Sequence, residues 1–158
     1  MTLEQKIANS FQMSDEVWER HTNPWSVWTR LTVLPLIILG VWSRIWLGWW
    51  SILIVMIALI WNWLNPRCFP VPKNTNNWAS QAVLGERIWL NRDQSNIPSH
   101  HQLAPLILSG MAALGIIFVV FGLVKLAVYP TLMGAILVYT GKLWFLDRMV
   151  WLYQDFEE

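Results

Sequence analysis

Three histidines, a carboxylate on an otherwise apolar helical face and a lysine inside a long apolar stretch are the residues of this chain with the clearest chemical potential. His21, His100 and His101, joined by Glu86 or Asp147, offer the nitrogen and oxygen donors that zinc or iron takes; zinc so held keeps one position for water. With Glu86 as general base, that arrangement would make the chain a membrane-embedded metalloenzyme. The spacing does not single this out, because His21 is far from the adjacent pair and there is no HExxH or CxxC. Haem or another tetrapyrrole is a second ligand that suits a tryptophan-rich helical bundle. Axial histidines project into such a bundle, however, and these three lie at or beyond the ends of the apolar stretches. No glycine-rich phosphate loop, nucleophile elbow or dinucleotide fingerprint is present.

Glu86 and Lys142 make a more local case. If Trp78 to Asn91 is a helix, then Trp78, Ala79, Ala82, Val83, Trp89 and Leu90 form one apolar face with Glu86 in its middle, and Ser80, Arg87 and Asn91 fall on the polar side. A carboxylate so placed must gain a cation or a ligand, or take up a proton. Lys142, Arg30 and Arg148 are the cations named as partners. Lys142 lies about 18 Å along its helix from Pro130, where a charge costs at least about 2.5–3.5 kcal/mol at mid-bilayer, so it must reach the surface or find a partner. These residues, with Asp147 and Arg87, predict a polar cluster at one end of a helix bundle, serving either to lock a loop or to bind a ligand.

The elements that position these groups follow from where charge is missing. Of 158 residues, 55% are hydrophobic and 13% charged, yet no charged residue lies between Arg44 and Arg67 or between Asp93 and Lys125. Such runs match the roughly 20 residues a helix needs to cross a hydrocarbon core of about 30 Å. The predicted fold is all-α: a polytopic membrane protein with four transmembrane helices arranged as two hairpins. Its parts are an amphipathic segment at 1–22, spans at 24–46 and 48–64, a cytoplasmic segment at 65–102 with an interfacial helix at about 78–91, and spans at 103–124 and 130–153.

Local signals set these bounds. Thr2 and Ser14 can cap two short surface helices, and Asn23 with Pro24 opens the first span. Pro35 should bend that span by removing one backbone hydrogen bond. Gly48 permits a reversal, and Pro130 opens the fourth span. Gly110, Ala112, Ala113 and Gly115 in the third span, with Gly134, Ala135 and Gly141 in the fourth, are small residues that allow close helix approach.

Lys6, Arg20, Arg30, Arg67, Lys73, Arg87, Arg92 and Arg148 fall on one side of these spans, with only Arg44 and Lys125 on the other. The positive-inside rule then puts both termini and the central segment in the cytoplasm, in a bacterial inner or thylakoid-type membrane. The lone Cys68 cannot form an internal disulfide, and a formal net charge of +1 gives no case for nucleic acid. The expected partners are the lipid bilayer, through Arg67, Lys73, Arg87 and Arg92, and a larger membrane complex or a second copy of the chain.

Taken together, "HTNPWSVWTR", "NPRCFPVPKNTNNWASQAVLGERIWLNR" and "GKLWFLDRMVWLY" resemble an uncharacterised family of small prokaryotic multi-pass membrane proteins, of the domain-of-unknown-function kind. The resemblance covers most of the chain from His21 onward and implies no activity or cofactor. The expectation is therefore a small membrane protein acting as a subunit, an assembly factor or a lipid- or ligand-binding module, with the metalloenzyme and the haem-binding bundle as alternatives.

Overall fold

A computed structural model of the chain describes residues 13–92 and 97–157, and among them every regular element is helical. In chain order these are α1 (Asp15–His21), α2 (Pro24–Arg30), α3 (Val33–Trp42), α4 (Arg44–Leu47), a 3-10 turn (Gly48–Trp50), α5 (Ser51–Cys68), α6 (Trp78–Leu90), a second 3-10 turn (Ser99–His101), α7 (Leu103–Lys125) and α8 (Val128–Glu157). The Thr2 cap and the first surface helix lie outside the described residues. Among the described residues, Pro24–Cys68 and Ser99–Lys125 are two stretches long and apolar enough to cross a membrane.

The first of these stretches is broken where a single helix over 24–46 is expected. Pro35 has no N–H to offer the carbonyl of Leu31, four residues back, and the helix breaks at Leu31 and Thr32. The Tyr139 hydroxyl, from α8, donates to that freed carbonyl at 2.5 Å. A second break falls at Ser43, whose hydroxyl turns back onto the Gly40 carbonyl at 2.7 Å. Gly48 then reverses the chain with φ of 53°, a region costly for residues with a Cβ. Helix α5 packs back along α3 and passes through Pro66 to Cys68, beyond its expected end at Leu64; Pro66 lies so close to the terminus that little of the helix is left to disrupt.

The second hairpin closes differently. Leu126 adopts the left-handed conformation (φ 52°) and Ala127 N–H donates to the Gly122 carbonyl at 2.8 Å, as in a Schellman-type helix end. Helix α8 starts at Val128, so Pro130 is its third residue rather than its first, and it runs to Glu157, past the expected 153. Backbones meet at glycines: a Cβ on Gly115 would lie 2.8 Å from the Gly134 carbonyl oxygen, and one on Gly134 would lie 2.5 Å from Val119 N. Gly122 sits in the same way against Thr131, and Gly141 against Ala112. Gly110, by contrast, faces open space.

Two further contacts set the ends of the molecule. Arg44, beside the first turn, donates to the carbonyls of Leu123 and Val124 at 2.9 and 3.0 Å, a cation on the C-terminal end of α7 that brings both turns to one end. At the other end α6 lies on α8 so closely that a Cβ on Gly85 would fall 1.9 Å from the Met149 carbonyl oxygen. Ala79, Ala82, Val83 and Trp89 of α6 enter one core with Phe145, Leu146, Met149 and Leu152 of α8. Ser80, expected on the polar side, is fully buried and donates to the Thr22 carbonyl at 2.6 Å, which ties α6 to the α1–α2 junction.

Candidate functional site

Between the two hairpins, beneath α6, is a cavity of about 490 Å³. Its walls are mainly apolar, with Leu34 and Ile37 from α3, Leu108 from α7, and Val138, Phe145 and Leu146 from α8. Polar side chains of four elements also line it: His21, Arg30, Glu86 and Lys142, joined by Asn62.

Glu86 and Lys142 meet at 2.9 Å. Asn77 caps α6 by accepting from Ser80 N–H, the helix rotates its small residues onto α8, and Glu86 is carried to the wall where Lys142 emerges. Their side chains are 23% and 40% exposed, and both open onto the cavity. Burial pushes the Glu86 carboxyl up, but the Lys142 charge and hydrogen bond, with Arg30 behind them, bring it below the ordinary range. The carboxylate form is thereby kept.

His21 occupies the junction of α1 and α2, where a directed series of hydrogen bonds begins. Arg30 can only donate, so His21 Nε2, 3.1 Å from Arg30 Nη1, must accept and the ring proton sits on Nδ1. From there Nδ1–H donates to Ser26 Oγ (2.7 Å), Ser26 Oγ–H to Asn65 Oδ1 (2.8 Å), and Asn65 Nδ2–H to Thr29 Oγ1 (2.8 Å). The series ends at the Trp25 carbonyl, which accepts from Thr29 at 2.6 Å. Burial, reinforced by Arg30, lowers the His21 pKa to about 3, which agrees with a neutral ring bonded through both nitrogens. Arg30 Nε also donates to Asn62 Oδ1 at 3.3 Å.

Several residues named from the sequence go elsewhere. Asp147, expected in the polar cluster of Glu86 and Lys142, instead accepts from Trp78 Nε1 at 3.1 Å, while the Trp78 ring stacks on Trp28 at 5.5 Å. That set joins α2, α6 and α8. Arg148 lies over the Trp151 ring, 4.8 Å from its centroid, with its Nε buried and unpartnered, so it is not Glu86's counter-ion. Arg87 pairs with Asp15 on the outer side of α6. The physical reason is one of angle: Arg87, one residue along from Glu86, points about 100° away from it.

The proposed ligand trio of His21, His100 and His101 is not brought together. His100 and His101 converge instead on Asp155, with Nε2 to Oδ2 distances of 3.1 and 2.7 Å, and neither lines the cavity. Hydrogen bonds from His101 and then His100 hold the exposed Asp155 carboxyl below its usual range. Because His21 uses both ring nitrogens, it offers no axial ligand to a haem in the cavity. Sequence reasoning missed Asp155 altogether; the only signal was a carboxylate one helical turn beyond Trp151 in a helix assumed to end at 153. It also missed Ser26, whose type is ordinary at a helix end.

A family model covers residues 2–158. The chain belongs to DUF6653, a family of unknown function. No curated protein and no solved structure matches it. In this DUF6653 member, an apolar volume with a lysine, an arginine, a carboxylate and a neutral imidazole on its wall can seat an amphiphile and orient its head by hydrogen bonds.

Proposed function

We propose that this chain is a multi-pass membrane protein whose helix bundle binds one amphiphilic molecule with an anionic head. The carrying observation is the make-up of the cavity, apolar walls with basic side chains from two helices among them. Arg30 and Lys142 supply several N–H donors beside the neutral His21 ring on the wall of a largely apolar volume. A carboxylate or similar anionic head accepts from these donors, and its chain takes the walls of Leu34, Ile37, Leu108 and Val138.

In this reading four segments cross the bilayer: α2 to α4, α5, α7 and most of α8. The membrane is a bacterial inner or thylakoid-type one, with both termini and residues 65–102 in the cytoplasm. Support comes from the positive-inside asymmetry of Lys and Arg. It also comes from Leu39, Ile57, Ile107, Ile117, Val124 and Ile136, each between 60% and 65% exposed, a belt of apolar surface that water does not tolerate and lipid does. Trp46, Trp49, Trp50 and Tyr129 gather near the turn end at exposures of 72% or more, as aromatic side chains do at headgroup level.

The test is titration of delipidated, tag-free protein in detergent with cis-parinaric acid, a fluorescent fatty acid, read by energy transfer from tryptophan. Saturation at one equivalent is expected, with Lys142→Ala and the cavity-filling Ile37→Trp each weakening binding at least about tenfold, or about 1.4 kcal/mol. Equal affinity in the parent and both variants would refute the assignment.

A further inference from the structure

Near the C-terminal end of α8, three donor groups that do not line the cavity converge. The 3-10 turn Ser99–His101 sets the two imidazoles side by side, ring centroids 4.2 Å apart, ahead of α7. Helix α8, extending to Glu157, brings Asp155 across from them. One ligand atom from each of His100, His101 and Asp155 lies within 4.8 Å of the others.

We infer that His100, His101 and Asp155 form a binding site for one divalent transition-metal ion of the zinc class. The donor set is the argument's first part: two imidazoles and a carboxylate are borderline ligands that suit zinc, cobalt or iron and leave a tetrahedral position for water. Size is the second. An ion about 2.0–2.1 Å from each donor spaces tetrahedral donors about 3.3 Å apart. The Nε2 to Oδ2 separations of 3.1 and 2.7 Å already approach that edge, so small side-chain adjustments seat the ion.

The environment completes the case. His101 is 2% exposed and thus held in place by packing, whereas His100 and Asp155 are 64% and 44% exposed and leave the entry side open. With Nε2 on the ion, the His101 proton moves to Nδ1, which is buried without a hydrogen-bond partner. Most ligand histidines donate that proton to a neighbour. Its absence weakens the site relative to a structural zinc finger, and places it among exchangeable rather than permanent ions. The bound ion would clamp the start of α7 to the end of α8, closing the open end of the second hairpin.

The experiment uses tag-free full-length protein in detergent, stripped with chelator and titrated with Co(II), reading the visible d–d bands of a low-coordinate site and their loss on adding Zn(II). One equivalent is expected, with a rise in melting temperature on zinc addition. His100→Ala and Asp155→Ala, both at exposed positions, should abolish the bands, while Glu86→Gln should leave them unchanged. Less than about a tenth of an equivalent in the parent chain, or undiminished bands in His100→Ala and Asp155→Ala, would overturn the proposal.

Discussion

The two hairpins are held together by different physics. In the second, α7 and α8 touch backbone to backbone through Gly115, Gly122, Gly134 and Gly141, and α6 joins them through Gly85. In the first, α2 and α5 are joined at their open end by side-chain hydrogen bonds from Ser26 to Asn65, Asn65 to Thr29 and Arg30 to Asn62. Glycine contacts have no adjustable part, so they set one helix separation. A series of side-chain hydrogen bonds depends on protonation and can be rearranged. The cavity lies between these halves, with one rigid wall and one polar wall.

The largest test of this contrast is to put a methyl group into the rigid half. Gly85→Ala and Gly134→Ala each gain about 1 kcal/mol in helix propensity but drive a Cβ into backbone atoms, 1.9 Å from the Met149 oxygen in one case and 2.5 Å from Val119 N in the other. A net loss of about 3 kcal/mol is expected, read as a melting temperature lower by about 5–10 °C. A change of less than about 2 °C would show that the helices separate without cost.

The polar half should respond to pH instead. His21 is neutral when folded, with a pKa of about 3, and ordinary when unfolded, near 6.5. Below pH 6.5 the unfolded chain therefore binds the extra proton, so stability is complete above that pH and falls as pH drops toward 3, by up to about 1.4 kcal/mol per unit. Between pH 7 and pH 5 about 2 kcal/mol should be lost, and His21→Gln should flatten the slope. Glu86, whose carboxyl is held low beside Lys142 and Arg30, titrates below this window and does not obscure it. Equal slopes in the two chains would remove His21 from the account.

The smallest effect is expected where the first hairpin does have a glycine contact. A Cβ on Gly40 would meet Val55 Cγ2 at 2.9 Å, the movable end of a side chain, and backbone only at 3.2 Å. Gly40→Ala should thus change stability by no more than about 1 kcal/mol, since propensity gain and crowding nearly cancel. A loss comparable to that of Gly134→Ala would erase the distinction between the hairpins.

Much of the helical framework was legible from residue types alone. Asn23 and Pro24 open α2, Gly48 turns the chain, and the small residues Gly115, Gly134 and Gly141 sit at contacts because close approach excludes anything larger. Glu86 needed a cation because an isolated carboxylate on an apolar face is costly, and Lys142 needed an anion for the same reason. Such demands are local: they follow from a residue and the periodicity around it.

Other features were settled only when helices from distant parts of the chain met. The Tyr139 hydroxyl donates to the carbonyl left free at Leu31 by Pro35, Asp147 accepts from Trp78 rather than joining Glu86 and Lys142, and Asp155 gathers the two histidines that had been assigned with His21. Sequence by itself determined which groups could not remain alone, since charge and hydrogen-bonding capacity belong to the residue. Tertiary structure decided their partners, because selection among several suitable donors and acceptors depends on helix rotation and end point, and a shift of one residue turns a side chain by about 100°.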